Sequence, residues 1–247
     1  MKVSIITATY NSASTITDTL RSVASQNYRD IEHVIVDGLS KDNTLTIINA
    51  FDYISKVKSE KDSGIYDAMN KGISNSSGDI IGILNSDDMY ADDKVISDIV
   101  SIFKSNPDVD CVYADLEYVD TYNTTKVVRK WKSGEYSKDK FKYGWMPPHP
   151  TFFVRKRIYQ KYGNFNLNLG TAADYELMLR FLYKFDCKVT YLPRTIVYMR
   201  NGGASNQSLR ARWKAHKYDK MAWVTNNLKP TFFTLYFKPL RKLSQFL

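Results

Sequence analysis

Short apolar runs alternate with amphipathic segments along the first hundred residues of the chain. The runs at residues 3–7, 31–37 and 80–84 are rich in Val and Ile, and a weaker run covers residues 54–58; such runs predict buried β-strands. Between them, apolar residues recur at helical spacing, as at Ile16, Leu20 and Val23. Strands that alternate with helices are typical of a mostly parallel sheet flanked by helices. The pattern therefore predicts an α/β fold.

The later part of the chain follows a different pattern. Residues 111–128 are rich in Tyr, Val and Thr, which indicates antiparallel or mixed strands, and Gly and Pro mark loops at 144–150 and 202–203. A chain of 247 residues is long enough for one large domain with a full core. We predict one domain over residues 1–205, followed by a basic, helical C-terminal extension over residues 206–247.

Polar residues follow each predicted strand of the first half at its carboxyl end. These clusters cover residues 7–11, 37–40, 60–64 and 85–88. The carboxyl ends of parallel strands meet at one edge of an open α/β sheet, and ligands bind there. Any single cluster is also explained by a helix cap or a turn. Because all four clusters follow the carboxyl end of a predicted strand, together they predict a binding site.

Asp87 and Asp88 form the sharpest pair in these clusters. Adjacent carboxylates repel one another unless a cation or hydrogen-bond donors compensate their charge. Carboxylate oxygens suit Mg²⁺ or Mn²⁺, which bind through one or two protein carboxylates and through substrate phosphates. The pair therefore predicts a metal that neutralises a diphosphate leaving group. The alternative is a solvated turn before the next helix.

The sequence lacks the two common phosphate-binding loops. No Gly-x-Gly-x-x-Gly follows the first strand and no Gly-x-x-x-x-Gly-Lys-[Ser/Thr] occurs, which argues against a dinucleotide dehydrogenase and a phosphate-loop NTPase. A nucleotide would be held by other groups. Asp37 and Asp62 lie at successive strand ends and are candidates to accept hydrogen bonds from base and ribose. The backbone from Thr9 to Asn11 is expected to approach the base.

Four ordered segments resemble the motifs of family 2 glycosyltransferases: VSIITATYN (3–11), VDGLSKD (36–42), EKDSGIYDAMNKG (60–72) and GDIIGILNSDD (78–88). The resemblance implies a GT-A fold, a nucleoside-diphosphate sugar donor, a Mg²⁺ or Mn²⁺ cofactor and inversion at the anomeric carbon. It also implies a nucleotide-sugar-binding half over residues 1–110 and an acceptor half over residues 111–205.

The resemblance also assigns site residues on the donor side. The implied nucleotide-sugar contacts are Thr7, Thr9, Asn11, Asp37, Asp62, Asn70 and Asp87. The family's Asp-x-Asp is replaced here by Asn85-Ser86-Asp87, so its first acid is an amide. Asp88, together with Asp87, is therefore the expected metal ligand.

On the acceptor side, the segment TAADYELMLRF (171–181) resembles the family's Glu-Asp helix, whose Asp is the general base. Inversion by single displacement needs such a base for the acceptor hydroxyl. Asp174 is the expected base, although Ala173 stands where Glu is usual. Glu176 lies about 200° further around a helix, so at most one of the two acids faces the site. Glu176 remains the alternative base or acceptor contact.

The segment WMPPHPT (145–151) resembles the family's loop between the donor and acceptor sites. His149 in this loop is expected to touch the acceptor or the diphosphate, or else to make a structural hydrogen bond. Processive synthases of the family carry Gln-x-x-Arg-Trp after residue 205, whereas Gln207 and Trp213 of this chain have a different spacing. Transfer of a single sugar is therefore expected.

Charge is concentrated at the C-terminal end. The chain has a formal net charge of +9, and residues 207–247 hold nine Lys and Arg against one acid. Residues 229–247 combine these with Phe, Tyr and Leu, a composition that suits contact with an anionic membrane surface. No apolar stretch is long enough to span a membrane. Packing of this tail on the domain or on a second subunit is the alternative.

These features predict a cytoplasmic enzyme at the inner face of the cell membrane, with a saccharide or a lipid-linked saccharide as its acceptor. The tail lacks the pattern of a nucleic-acid recognition module, so nucleic acid is not expected as a partner. Two other functions stay open. Asn85 and Ala173 allow a degenerate, non-catalytic membrane scaffold, and the parallel sheet with metal carboxylates allows a nucleotidyltransferase. The motifs do not specify the donor base, the sugar or the number of subunits.

Overall fold

The computed structural model describes residues 1–202, 209–231 and 234. These residues form one mixed sheet with helices on its faces. The strands are β1 (Val3–Thr9), β2 (Ile31–Asp37), β3 (Lys56–Ser59), β4 (Ile80–Ile83), β5 (Met89–Tyr90), β6 (Cys111–Val119), β7 (Val127–Trp131), β8 (Phe153–Arg155) and β9 (Val189–Arg200). The helices are α1 (Ile16–Ala24), α2 (Thr44–Ile48), α3 (Ile65–Asn75), α4 (Val95–Ser105), α5 (Lys156–Tyr162), α6 (Ala173–Met178) and α7 (Leu209–Thr225).

The first four strands form the parallel part of the sheet, as the sequence predicted. Their order is β3-β2-β1-β4, and β1 pairs with both β2 and β4 in parallel. The register sets Thr9 opposite Asp37 and Asp37 opposite Ser59, so the three strands end at one edge. The polar clusters that follow these strands are thereby brought together.

Both faces of β1 are buried. Ile6 packs in a cluster with Ala68 and Met69 of α3, while Ile5 packs with Ile96 of α4 in a separate cluster. A strand covered on both faces is expected to be apolar throughout rather than alternating. This explains why β1 does not alternate strictly between apolar and polar residues, whereas β3 is exposed along its whole length.

The second half extends the sheet with mixed pairing. Strand β6 pairs antiparallel with β7 and β8 and parallel with β9, so the predicted region 111–128 contains mixed strands, with a loop over residues 120–126. Strand β8 pairs antiparallel with β4 and joins the two halves. Strand β9 also pairs with β5, the two-residue strand directly after the β4 turn, which we define as residues 84–88. The β4 turn is thus fixed from both halves of the molecule.

Helix α7 lies against α6, which continues as a π-helical turn over Leu179–Lys184. The buried Trp223 indole donates through Nε1 to the Tyr175 hydroxyl at 2.9 Å, and Asn226 Nδ2 donates to Glu176 Oε1 at 2.9 Å. The first part of the predicted extension therefore packs on the domain, while most of residues 229–247 lie outside the described residues. Among the helices described, none has the length and apolarity needed to cross a membrane. The domain boundary at residue 205 stays a prediction.

Candidate active site

The turn after β2 is organised by Asp37, whose side chain is fully buried. Its Oδ2 accepts hydrogen bonds from the Ser40 backbone N–H at 3.0 Å and from Ser59 Oγ at 2.7 Å, and its Oδ1 accepts from Ser40 Oγ. Asn11, with φ of +49°, joins this turn to the end of β1. Its backbone N–H donates to Ser40 Oγ and its Oδ1 accepts from the Lys41 N–H, both at 2.8 Å. Asp37 and Asn11 hold the loops, and their nucleotide contacts stay predictions.

Asp62 lies over Gly38 at the same edge. A Cβ atom on Gly38 would stand 2.5 Å from Asp62 Oδ2, so only glycine admits this approach. The ring of Tyr10 lies beside them and is 58% exposed. Leu39, in the turn after β2, and Ile65, at the start of α3, are each 49% exposed. An exposed aromatic ring beside a carboxylate offers a stacking face and a hydrogen-bond acceptor to a nucleobase. Tyr10 was not singled out by the sequence, although its place directly after β1 was the available signal.

Three polar atoms at the ends of β1 and β4 are buried without a hydrogen-bond partner among the described residues. They are Thr9 Oγ1, Asn85 Oδ1 and Asp88 Oδ1. Buried polar atoms in folded proteins are normally paired. Their grouping at the predicted ligand edge makes them candidates to pair with a bound molecule.

The β4 turn holds the two predicted metal carboxylates. Asp88 is fully buried, and its Oδ2 accepts a hydrogen bond from Asn85 Nδ2 at 2.8 Å. Burial, together with the nearby charge of Asp87, raises the pKa of Asp88 well above its usual range. Burial also raises the pKa of Asp87, against the lowering effect of the Arg200 charge. Two acids that resist ionisation at one turn favour a bound cation.

The residues of the β4 turn fit Mg²⁺ or Mn²⁺. Such ions take few ligands from protein and the rest from water and substrate phosphates. Asp88 Oδ1 is an unpartnered acceptor and Asp87 is its neighbour. Within residues 1–202, 209–231 and 234, no three His, Cys, Asp or Glu side chains form a cluster that could hold a metal by themselves. An ion here would therefore rely on water and a diphosphate for its remaining ligands.

Arg200, at the end of β9, supports this turn from the other half of the molecule. Its Nη1 donates to the Asp87 carbonyl oxygen at 2.9 Å, and its Nη2 pairs with the Asp18 carboxylate. The side chain is only 7% exposed. Sequence reasoning missed Arg200, because nothing in the local sequence relates it to a turn more than a hundred residues earlier.

Asp174, at the start of α6, faces the β4 turn across His149. Asp174 Oδ2 lies 3.6 Å from His149 Nδ1, and His149 Nε2 lies 3.2 Å from Asn85 Nδ2. Burial lowers the pKa of His149, against the raising effect of the Asp174 and Asp87 charges. Burial and the Asp174 charge also raise the pKa of Tyr66 well above its usual value. The predicted base and the predicted metal ligands therefore share one site.

Two predicted site residues are buried and paired within the fold, and their contacts with donor and acceptor stay predictions. Thr7 is fully buried, and its Oγ1 pairs with His33 Nε2 at 3.0 Å. Glu176 is 2% exposed and binds Arg180 through Nε at 2.8 Å, in addition to Asn226. The two acids of α6 point to different sides of the helix, as their spacing requires, and Glu176 is on the side that packs beneath α7.

Asn70 is engaged elsewhere in the structure. Its Nδ2 donates to the Phe165 carbonyl oxygen and its Oδ1 accepts from the Phe165 N–H, both at 2.9 Å. This pair of bonds fixes the loop before α6 to helix α3. Contact of Asn70 with a nucleotide stays a prediction.

Tyr118 of β6 lies close enough to Asp88 and Asp174 for their charges to affect its pKa. Its pKa is raised by burial first, and then by the charges of Asp88 and Asp174, against the lowering effect of Arg129. The Arg129 guanidinium lies 3.6 Å from the centre of the Tyr118 ring. The sequence offered no signal for either residue, since both lie in the strand region without a motif.

Comparison with known proteins gives a consistent result. The sequence pattern described as "Glycosyl transferase family 2" matches residues 4–163. An uncharacterized glycosyltransferase of Mycobacterium tuberculosis is 32% identical over 181 residues, which cover 72% of this chain and 68% of that protein. A "PGL/p-HBAD biosynthesis glycosyltransferase" of Mycobacterium bovis is 29% identical over 209 residues, 82% of this chain and 78% of that protein.

Two solved structures share the fold. S. aureus TarS 1–349 in complex with UDP-GlcNAc superposes with a TM-score of 0.71 and 19% identity, over 91% of this chain and 66% of that one. The mannosyltransferase PcManGT from Pyrobaculum calidifontis, in complex with GDP-Man and Mn²⁺, has a TM-score of 0.67 and 16% identity, over 98% of this chain and 69% of that one. At such identities the likeness establishes the fold.

Proposed function

Because the chain belongs to glycosyl transferase family 2 and has the GT-A fold, we propose that it transfers a single sugar from a nucleoside-diphosphate sugar with inversion. The acceptor in this proposal is a hydroxyl of a saccharide or a lipid-linked saccharide. The observation that carries it is the series of contacts from Asp174 through His149 and Asn85 to Asp88 Oδ2, beside the unpartnered Asp88 Oδ1. In this proposal the β4 turn is the leaving-group side and Asp174 is the proton-accepting side.

The nucleoside side of the donor fits the edge formed by β1, β2 and β3. Tyr10 offers a stacking face and Asp62 an acceptor, and Thr9 Oγ1 is a buried hydroxyl without a partner among the described residues. Structures with the same fold bind UDP-GlcNAc and GDP-Man. These observations support a nucleoside diphosphate as the recognised part of the donor.

The β4 turn is the proposed metal site. Asp88, with Asp87 beside it, would hold Mg²⁺ or Mn²⁺. A bound ion supplies neutralising charge for the departing diphosphate. Arg200 fixes the turn from behind through the Asp87 carbonyl oxygen and so holds both carboxylates in place.

Asp174 is the proposed general base. In the single displacement, the acceptor oxygen forms its bond to the anomeric carbon while the bond from that carbon to the diphosphate oxygen breaks. The acceptor proton passes to an Asp174 oxygen. Asp174 Oδ1 accepts a hydrogen bond from the Tyr175 N–H at 2.7 Å, which orients the carboxylate.

A non-catalytic scaffold is the second candidate, since Asn85 and Ala173 replace acids usual in the family. The position of Ala173 weakens this alternative. Its side chain is fully buried in the core cluster, so an acid is not missing from the opening at this position. Asn85 remains a real departure within the site.

Binding of nucleotides distinguishes the two candidates. The experiment is a thermal-shift panel of UDP, GDP, dTDP and CMP, each with and without Mn²⁺, on the wild type and on Asp88→Asn. A ligand at a hundred times its Kd adds about 2.7 kcal/mol of stability. The proposal expects one nucleoside diphosphate to stabilise the wild type with Mn²⁺ and to lose that effect in Asp88→Asn. Asp52→Asn, which removes an exposed acid outside the site, is the matched control.

Stabilisation that persists in Asp88→Asn would contradict the metal assignment. Absence of any nucleotide effect on the wild type would favour the scaffold. Hydrolysis of the matching nucleotide sugar, followed with and without Mn²⁺, then tests whether the bound donor is activated.

We further propose that the enzyme works in the cytoplasm at the inner face of the cell membrane. The support is the composition of residues 229–247, which joins aromatic and aliphatic side chains to basic ones. Sedimentation of the full chain with phosphatidylglycerol vesicles tests this, with phosphatidylcholine vesicles as the control. Binding to the anionic vesicles alone, reversed by salt, is expected. Absence of binding to both kinds of vesicle would contradict the membrane contact.

A further inference from the structure

Two threonines of the first helical segment contact the backbone of the β4 turn. Thr15 lies directly before α1 and Thr19 lies within it, and a spacing of four places side chains on one face of a helix. We propose that Thr15 and Thr19 are positioning residues, which hold the β4 turn in the geometry that a divalent cation requires at Asp88. This inference rests on the proposed metal site.

Thr19 joins the two ends of the turn. Its Oγ1 donates to the Asp88 carbonyl oxygen at 2.7 Å and lies 3.5 Å from the Asn85 carbonyl oxygen. A threonine within a helix often donates instead to a carbonyl oxygen one turn earlier in its own helix. Thr19 is fully buried, so water does not compete for its hydroxyl. The hydroxyl therefore connects α1 to the turn.

The other two carbonyl oxygens are also held from the side of α1. Thr15 Oγ1 donates to the Ser86 carbonyl oxygen at 3.0 Å. The Asp87 carbonyl oxygen accepts from Arg200, whose guanidinium pairs with Asp18 of α1. Directly or through Arg200, α1 thus holds the carbonyl oxygens of the last four residues of the β4 turn.

These bonds determine the direction of the Asp88 side chain. A peptide group is planar, so a hydrogen bond that fixes its carbonyl oxygen fixes the whole plane. The planes on either side of a residue set the direction of its Cα–Cβ bond. Mg²⁺ demands near-ideal octahedral geometry, so a small displacement of the carboxylate weakens binding. Because the acceptors are backbone oxygens, the bonds are the same whether the Asp88 carboxyl is ionised or protonated.

Substitution of Thr19 tests the inference. Thr19→Val keeps the shape of the side chain and removes the hydroxyl. Binding of Mn²⁺ is followed by the electron paramagnetic resonance of the free ion, in the presence of UDP, GDP or dTDP, whichever stabilises the wild type. The Kd for Mn²⁺ should rise on the order of 10- to 100-fold, as it does on loss of a residue that orients a metal ligand. Thr19→Ser keeps the hydroxyl and should restore the affinity.

Val23→Ala is the matched control for lost stability, because Val23 is buried on the same helix and packs in the apolar core. It should lower the free energy of unfolding and leave the Kd for Mn²⁺ unchanged. An equal rise in Kd for Val23→Ala and Thr19→Val would mean that α1 acts through stability alone, which overturns the positioning role. Thr15→Val, at a half-buried position, should change the Kd in the same direction as Thr19→Val and decides the question if that variant does not fold.

Amide hydrogen exchange gives a readout without metal or nucleotide. The Asp88 N–H donates to the Asn85 carbonyl oxygen at 3.1 Å within the turn. Thr19→Val should speed exchange of this N–H by about tenfold relative to Val23→Ala, since one hydrogen bond no longer opposes local opening. Equal exchange in the two variants contradicts the inference.

The outcomes separate this inference from the proposed function. If the wild type binds Mn²⁺ with the nucleotide and Thr19→Val binds it equally, the positioning role fails and the metal site stands. If the wild type binds the nucleotide but no Mn²⁺, the metal assignment fails and the positioning role fails with it.

Discussion

The turn after β2 and the β4 turn each contain a fully buried carboxylate, and the two differ in their hydrogen-bond partners. Asp37 accepts from Ser40 twice and from Ser59. Asp88 accepts from Asn85, while its Oδ1 has no partner among the described residues. In the sequence the two acids look alike, since each follows a parallel strand. A complete set of donors marks a carboxylate that holds the fold, and an incomplete set marks one that is open to a ligand.

The two turns also differ in where their supports come from. The partners of Asp37 lie within 22 residues of it in the sequence, at Ser40 and Ser59. The β4 turn is held by Arg200 and faces His149 from the other half of the chain. The first turn can form with the local parallel sheet, whereas the second is complete only when both halves are packed.

The largest expected effect is the loss of kcat on substitution of Asp174, which faces the β4 turn. Asp174→Asn keeps the shape of the side chain but removes the proton acceptor, so kcat should fall by about 10²- to 10⁴-fold, the usual contribution of a general base. The donor KM should not change, because Asp174 faces the acceptor side. Steady-state kinetics measure both. Glu176→Gln is the matched control on the same helix. If both substitutions lower kcat equally, Asp174 is not the base.

Much of the fold could be predicted because strand and helix patterns are local. The bounds predicted for β2 agree with the structure, and the residues with helical spacing, Ile16, Leu20 and Val23, lie in α1. Strand β3 begins at Lys56 rather than at Ile54, because Ile54 packs in an apolar cluster with Ile35. The parallel pairing of the first four strands also followed from the pattern, since β-α-β connections favour parallel strands.

The site was harder to predict, because its support depends on contacts between distant segments. Arg180 and Asn226 bind Glu176 and hold it on the buried side of α6. No motif in the sequence shows that these residues bind Glu176. Likewise the burial of Thr7 follows from its pairing with His33 on the next strand. Position at a strand end predicted that the polar clusters meet at one edge of the sheet, as they do, but did not show which side chains are buried.

Exchange of the two buried acids for amides tests the comparison of the turns directly. Asp37→Asn should lower the free energy of unfolding by about 1–3 kcal/mol, because an amide places N–H groups where three donors already point. Asp88→Asn should leave the unliganded protein as stable as the wild type, since, within the described residues, only one oxygen of Asp88 accepts a hydrogen bond, from Asn85, and the amide oxygen can still accept it. It should instead abolish the metal-dependent stabilisation by nucleotide, about 2.7 kcal/mol at a hundred times Kd.

Denaturant unfolding, with and without nucleotide and Mn²⁺, separates these outcomes. The comparison fails if Asp88→Asn destabilises the unliganded protein as much as Asp37→Asn does. It also fails if Asp37→Asn leaves the free energy of unfolding unchanged.

The buried pair of His33 and Thr7 is expected to make a smaller, pH-dependent contribution to the free energy of unfolding. Burial lowers the pKa of His33 from its usual value to about 3. The unfolded chain binds a proton at His33 below about pH 6.5 and the folded protein does not, so stability falls as the pH is lowered. Between pH 7 and pH 5 this one group should lower the free energy of unfolding by about 2 kcal/mol.

The measurement is the difference in unfolding free energy between the wild type and His33→Gln at several pH values. The acids of the β4 turn titrate in both proteins, so their contribution cancels in the difference. The pKa of Glu32 is about 2 in the folded protein, so its stabilising contribution is lost only at lower pH than this window. Parallel pH profiles for the two proteins would show that His33 is not buried in its neutral form.

The smallest effect concerns the contact between α7 and α6, which decides whether the start of the predicted extension belongs to the domain. Tyr175→Phe keeps the ring and removes the hydroxyl that accepts the Trp223 indole N–H at 2.9 Å. It should lower the free energy of unfolding by about 1 kcal/mol, in a single transition if α7 unfolds with the domain. Tyr122→Phe, at a side chain 97% exposed, is the control. Equal stabilities for the two variants would mean that α7 does not stabilise the helix that carries Asp174.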